Sequence, residues 1–181
     1  KRKINTENDS QGKRMYKLAG ELFPVCRSIT GEGTRTTLRR IQKEIPHMII
    51  HEIPTGTKVF DWTIPNEWEI EDAYIEDADG NIIVDFKQNN LHVVGYSSPI
   101  DEWVSLEELN KHLYSLPEYP DWIPYVTSYY KERWGFCVAH NQRMSLKDGQ
   151  YHVIIKSKLF EGSLSYGELL IPGKSNKEIF L

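Results

Sequence analysis

The hydrophobic pattern of this chain changes period at Pro46, and no other feature narrows its folding options as much. Upstream, QGKRMYKLAGELF (residues 11–23) sets Met15, Leu18, Ala19 and Leu22 at helical spacing, and TRTTLRRIQKEI does the same with Leu38, Ile41 and Ile45. Pro24 and Pro46 stop these two helices, because proline lacks the amide hydrogen a helix interior needs. Downstream the period is two. HMIIHEI, EWEIEDAYIED, NIIVDF, LHVVGYS, WGFCVAH, QYHVIIKSKLF and LSYGELLIPG predict strands, with TGTKVFDWTIP as turn material and LPEYPDWIPYVTSYY as an ordered loop. In the first acidic strand Trp68 and Ile70 share one parity, and Tyr74 and Ile75 follow only with a slip. One short helix interrupts, in SLEELNKHLYSL, opened by a capping box of Ser105 with Glu108. The fold class is therefore α+β, a short helical N-terminal hairpin followed by a β-rich body.

Charge follows the same division. Residues 1–45 hold 11 Lys and Arg against 5 Asp and Glu, while the rest of the chain is more acidic, bringing the whole to −4. The acidic body would repel a phosphate backbone, so nucleic acid is not an expected partner and the basic start reads as a solvated helical face. No run of 18 apolar residues occurs and the polar first residues carry no apolar signal segment, so no membrane partner is expected. Cys26 and Cys137 stand far apart, outside any CxxC pair, which predicts two free thiols and a cytoplasmic setting.

The chemistry-bearing candidates are weighed against plain structural roles. The loop PVCRSITGEGTR (residues 24–35) lacks the lysine of a Walker-type phosphate loop, follows a helix instead of a strand, and has Thr36 where a dinucleotide motif needs glycine. It reads as the joint of the helical hairpin, with Thr34 capping the second helix and Gly31 or Gly33 supplying the turn. His47 and His51 are expected on one face of a strand, structural or exposed; His92, His140 and His152 sit singly in strands. None belongs to a convergent set of the size a zinc site requires. Residues 66–85 hold eight carboxylates and no Lys or Arg, read as the solvent face of a two-stranded ribbon turned by a type I′ Asp79-Gly80. No GxSxG elbow or local Cys–His arrangement appears, so no catalytic or metal-ligating residue is assigned.

Several stretches carry a resemblance. LFPVCRSITGEGTRTTL, IPTGTKVFDWTIPNEWEIEDAYIED, NLHVVGYSSP, YVTSYYKERWGFCVAHNQ and GSLSYGELLIPG resemble a bacterial aminopeptidase-like family whose genes often lie near polysaccharide-biosynthesis genes. The resemblance implies a zinc-exopeptidase-like α/β domain interrupted by a β-rich insertion, with a winged helix near the C-terminus. On this chain it implies residues 1–60 as the start of the peptidase-like domain, 61–172 as the inserted β-rich domain, and 173–181, ending in KEIFL, as the strand returning to the peptidase sheet. The family's metal ligands and catalytic carboxylate follow that return. The chain thus resembles the N-terminal part only, with no cofactor of its own and zinc implied for the complete family member. The implied substrate is a peptide-like or amide-bearing small molecule, reached through a cleft lined by Arg27, Ser28, Thr30, Tyr129, Tyr130, Arg133 and Trp134. A homo-oligomer through an exposed C-terminal strand is a further expectation. The other reading is a non-catalytic module that binds a saccharide or peptide through its aromatics.

Overall fold

The computed structural model describes residues 6–128, 131–175 and 179; the expected return strand and the tyrosines at 129 and 130 lie largely outside them. The fold is α+β. Helices α1 (Thr6–Leu22) and α2 (Glu32–Glu44) come first, then strand β1 (Ile49–Pro54) and the small hairpin β2 (Lys58–Val59) and β3 (Trp62–Thr63). The body follows with β4 (Glu67–Glu76), β5 (Ile82–Asp85), β6 (Ile100–Ser105), α3 (Leu106–Lys111), β7 (Leu113–Tyr114), β8 (Phe136–Cys137), α4 (His140–Met144), β9 (Gln150–Phe160) and β10 (Ser163–Glu168).

A four-stranded antiparallel sheet in the order β5-β4-β9-β6 carries the core. Ala73, Ile75, Val153 and Ile155 face inward and meet Val84, Leu109, Phe136 and Val138. Strand β9 is long because QYHVIIKSKLF carries β-branched residues at its centre, where Val153, Ile154 and Ile155 are buried in succession. Beside it, β4 carries an irregularity between Ile70 and Asp72. Trp68 is buried from one parity and Ala73 and Ile75 from the other, which is the slip visible in the sequence. A second, two-stranded sheet pairs β1 with β10, His51 opposite Tyr166, and helix α2 lies on it. The pairing joins the segment before residue 60 to the end of the β-rich segment.

Several expectations are corrected. The residue before α2 is Gly31, with φ 102°; Thr34 lies inside the helix, and its hydroxyl donates to the Ser28 carbonyl (2.6 Å) instead of capping. The β4–β5 hairpin exists, but Gly80 alone has positive φ, so the turn is not type I′, which needs two such residues. The Asp77 carboxylate fixes it by accepting from the amides of Asp79 (3.0 Å) and Asn81 (2.9 Å) and from the Asn81 side chain. The carboxylates do not line a two-stranded ribbon, since β4 has a neighbour on each side and Glu67 is buried. LHVVGYS forms a 3-10 turn (Asn90–His92) and an irregular segment. Consecutive Val93 and Val94 are both buried, which a half-exposed strand cannot do, and Tyr96 takes a left-handed conformation (φ 67°). WGFCVAH shrinks to β8, and His140 opens helix α4. Strand β6 escapes the sequence pattern because Val104 is its one buried residue. The Ser105 cap stands: its hydroxyl accepts from the Glu108 amide at 3.2 Å.

The histidines within this frame have structural partners. His51 contacts Glu168 (2.8 Å) and stacks on Tyr166, while His92 Nδ1 donates to the Cys137 carbonyl (2.8 Å). His140 contacts the Ser115 hydroxyl at 3.0 Å. His152 lies between Asp101 (2.7 Å) and Glu76 (3.2 Å), its ring flat against Trp103. The Asp101 hydrogen bond, helped by Glu76 and opposed by desolvation, raises the His152 pKa. A raised folded pKa contributes stability fully present below the unfolded value of about 6.5 and lost as pH rises through the folded one. Substituting His152→Gln is therefore expected to cost more stability near pH 6 than near about pH 8, read by urea unfolding at both. An equal cost at the two would mean the ring folds neutral.

Candidate functional site

A concave feature forms where the opening loop meets β4 and β9. Helix α1 ends at Leu22, and the loop turns back so closely that a Cβ on Gly33 would overlap the Cys26 carbonyl oxygen. Gly31 needs its positive φ, and a Cβ there would stand 2.7 Å from the Trp68 carbonyl oxygen. The first approach folds the loop on itself and the second holds it against β4.

A buried hydrogen-bond chain fixes the contact. The Trp68 amide donates to the Thr30 hydroxyl (3.3 Å), Thr30 bonds the Tyr96 hydroxyl, and Tyr96 donates to the Asn66 carbonyl (3.2 Å). The Trp68 indole donates to the Ser97 carbonyl (2.9 Å), which also accepts from Ser157 (2.7 Å). Beside this chain the Arg35 guanidinium forks onto both oxygens of Glu67, whose side chain is 3% exposed, and the Ser163 amide adds a bond at 3.1 Å. Arg35, opposed by burial and aided by Ser163, holds the Glu67 pKa below its ordinary value.

Between loop and sheet lies an open cleft of about 510 Å³, lined in part by Ser28, Glu32, Trp68, Glu71, Lys156 and Lys158. Its charges are mixed: Lys158 pairs with Glu69 (2.9 Å), and Arg35 and Arg39 lower the Glu32 pKa. No activated nucleophile lines it. The Ser28 hydroxyl donates to the Thr30 carbonyl, and burial raises the Cys26 thiol pKa, so the thiolate is disfavoured. Such a surface can hold and orient a polar ligand.

The sequence-derived cleft residues fall in separate places. Ser28 lines this cleft; Thr30 is buried in the hydrogen-bond chain; Arg27 is exposed and donates to the Leu22 carbonyl (2.5 Å). Arg133 donates to the Tyr114 hydroxyl (3.0 Å) and lies over that ring, while Trp134 stacks on His112 with ring centres 3.6 Å apart. Tyr129 and Tyr130 lie outside the described residues. Trp68, Glu67 and Lys156 were not foreseen; the only local signal was Trp68 itself, a large aromatic in an acidic strand.

Among the described residues no group of three His, Cys, Asp or Glu side chains converges as a metal site. The histidines that pair with carboxylates or carbonyls are spread over β1, β9, the 3-10 turn and the end of α3, so these residues do not fit a zinc ion, which takes three or four protein ligands. Cys26 and Cys137 are both free, and burial pushes the Cys137 thiol up to about 12. Alkylation of the unfolded, unreduced protein should add two groups by intact mass, and Cys137 in the folded protein should stay unmodified. Loss of both additions would reveal a disulfide.

A family described as a domain of unknown function (DUF2172) matches residues 67–158. Over 176 residues the chain is 51% identical to a Clostridium acetobutylicum protein named "Putative polysaccharide biosynthesis protein with aminopeptidase-like domain"; the match takes in 97% of this chain and 40% of that protein. A crystal structure of a "putative peptidase" from Clostridium acetobutylicum superposes with a TM-score of 0.83 at 51% identity, covering 87% of this chain and 37% of the other. The chain therefore spans about two-fifths of the length of the relatives it matches, and it resembles part of a peptidase-like fold.

Proposed function

This chain belongs to the DUF2172 family, and from that membership we propose that it serves as the N-terminal portion of a zinc-dependent aminopeptidase-like hydrolase, bordering the substrate cleft. One observation carries the reading: the identity to the aminopeptidase-like protein runs through nearly all of this chain. In this proposal the metal ligands and the catalytic carboxylate come from outside the chain. Zinc, when bound there, would supply the activated water that attacks an amide carbonyl. This chain's part is to bind and orient. Residues 61–172 act as the inserted domain, and the cleft beside Trp68, with its paired charges, offers hydrogen bonds to a peptide-like or amide-bearing small substrate in the cytoplasm.

The test uses the polypeptide that the gene encodes, purified with zinc and assayed on a panel of aminoacyl p-nitroanilides with and without chelator. Chelator-sensitive release of the aniline is expected, with no release and no stoichiometric zinc for the 181-residue chain alone. One tightly held zinc per isolated chain would overturn the assignment of the ligands elsewhere. Failure of the whole polypeptide on every amide would overturn the hydrolase.

One observation favours a second reading, a non-catalytic binding module. Tyr119 and Trp122 stack at 4.5 Å, and both are more than half exposed. The loop is held by the Asn141 amide on the Pro120 carbonyl (3.0 Å) and the Asn141 side chain on Asp121 (2.8 Å). A rigid exposed aromatic pair suits the flat face of a sugar ring. An inert polypeptide that binds oligosaccharide in calorimetry, and loses it on Trp122→Ala, would establish this reading instead.

A further inference from the structure

Among the described residues two other than glycine have positive φ, Tyr96 at 67° and Phe60 at 55°. A left-handed backbone crowds a bulky side chain, so each position holds strain that something must offset. For Tyr96 the offset lies inside the chain, in its bonds to Thr30 and Asn66. For Phe60 the chain supplies none, because its side chain is fully exposed (101%).

The strained residue sits on a well-held support. Val59 pairs with Trp62, so Phe60 and Asp61 form the two-residue tip of the β2–β3 hairpin, where glycine or asparagine is the usual left-handed residue. The base of the hairpin is fixed by the Gly56 amide on the Ile64 carbonyl (2.9 Å) and the Ile64 amide on the Thr57 carbonyl (2.9 Å). The Thr55 hydroxyl adds a bond to the Pro65 carbonyl (3.1 Å), and Ile64 is buried. An aromatic ring held out on a rigid tip, at a cost to the fold, has the form of an anchor for a pocket on another molecule.

We propose that Phe60 of one copy of this chain enters the cleft beside Trp68 on a second copy. That cleft, of about 510 Å³, has room for a phenyl ring and takes its apolar lining from Cys26, Trp68 and Ile70. The charges around the two features match. Lys156 stands on the cleft opposite Asp72, which pairs with Lys87 instead, so Lys156 has no ion pair among the described residues. Asp61, next to Phe60 on the tip, has none either and carries the opposite charge. Two-fold symmetry makes the contact reciprocal: each copy gives a tip and receives one, so the pair closes on itself. The cleft then gains an apolar wall from the neighbouring copy beside its own charged lining. This inference goes beyond the functional reading above and needs neither zinc nor hydrolysis.

Photo-cross-linking decides it, on the polypeptide that the gene encodes with p-benzoylphenylalanine in place of Phe60. The expected product has the mass of two chains, and its linked peptide maps to residues 24–33 or 68–71, which line the cleft. Sedimentation should show a concentration-dependent dimer. Phe60→Gly, which suits the left-handed backbone, should weaken that dimer at least about thirtyfold with unchanged far-UV circular dichroism, as loss of an aromatic anchor does. Lys156→Glu should weaken it as well, and adding Asp61→Lys should restore part of the loss. A monomer at every concentration, a dimer indifferent to Phe60→Gly, or a cross-link that maps anywhere else, including within one chain, would each overturn the proposal. Because association is read without any hydrolysis, an inert polypeptide that dimerises this way would remove the hydrolase and leave the contact standing.

Discussion

Replacing Gly33 by alanine is expected to lower the stability of the fold by about 3 kcal/mol or more, the range reached when backbone must move to admit a side chain. Gly33 sits in the first turn of α2, where alanine's intrinsic helix preference would favour the change by about 1 kcal/mol. The Cys26 carbonyl oxygen opposes it. The new methyl would lie inside that oxygen's van der Waals shell, and neither partner is a flexible side-chain end. Opening the gap would shift the loop that presents Thr30 to Trp68 and Tyr96, so the buried hydrogen-bond chain would be disturbed too. Gly20→Ala is the matched control, because nothing lies within 4 Å of a Cβ there. It should be neutral or stabilising by up to about 1 kcal/mol. Urea unfolding of the two variants measures the difference. Equal behaviour would mean that the loop yields freely.

Substituting Arg35→Met should cost about 3–5 kcal/mol near neutral pH, as breaking a buried pair from one side does. The change leaves Glu67 at 3% exposure with the Ser163 amide as its remaining donor. Arg35 itself is 15% exposed, so solvent offers Glu67 little relief. The sign of the pH dependence follows from the depressed Glu67 pKa. Its contribution is present above the unfolded carboxyl value of about 4.3 and is lost as pH falls through the folded one. The gap between wild type and Arg35→Met should therefore narrow as the solution is acidified below about pH 4. Combining Arg35→Met with Glu67→Leu should recover part of the loss, since an apolar pair of similar size replaces the stranded charge. A single-variant cost below about 1 kcal/mol would place the pair among ordinary surface ion pairs.

The parts of the fold legible in the sequence are those whose signals are local. Pro24 and Pro46 bound the helices because one residue removes one hydrogen bond, and the Ser105 cap spans three positions. Strand β9 is legible because its run of β-branched residues, Val153–Ile155, is itself a local signal. Legibility fails where burial is set by distant partners. Nothing near Glu67 distinguishes it from Glu69 or Glu71; it is buried because Arg35 and Gly162 meet it there, and a Cβ on Gly162 would strike its side chain. The same holds for Tyr96, whose left-handed backbone exists to bring its hydroxyl between Thr30 and Asn66. The cleft falls in this class too. Ser28 came from the loop, while Trp68 and Lys156 belong to strands that meet the loop only after folding.

The irregularity in β4 between Ile70 and Asp72 bears on how such chains can change length. Side chains on a strand alternate faces, so a strand can gain or lose a residue only by inverting everything on one side of the change. Here the inversion is already built in: Trp68 reaches the core from one parity, and Ala73 and Ile75 reach it from the other. Deleting Glu71 would restore a regular strand and turn one of these two sets outward. An inserted residue elsewhere in β4 would do the same damage. Length variation among related chains should consequently spare residues 67–76 and collect in the turn at 77–81 and in the loop from 115 to 125, ahead of the bridge between Gly95 and Thr127.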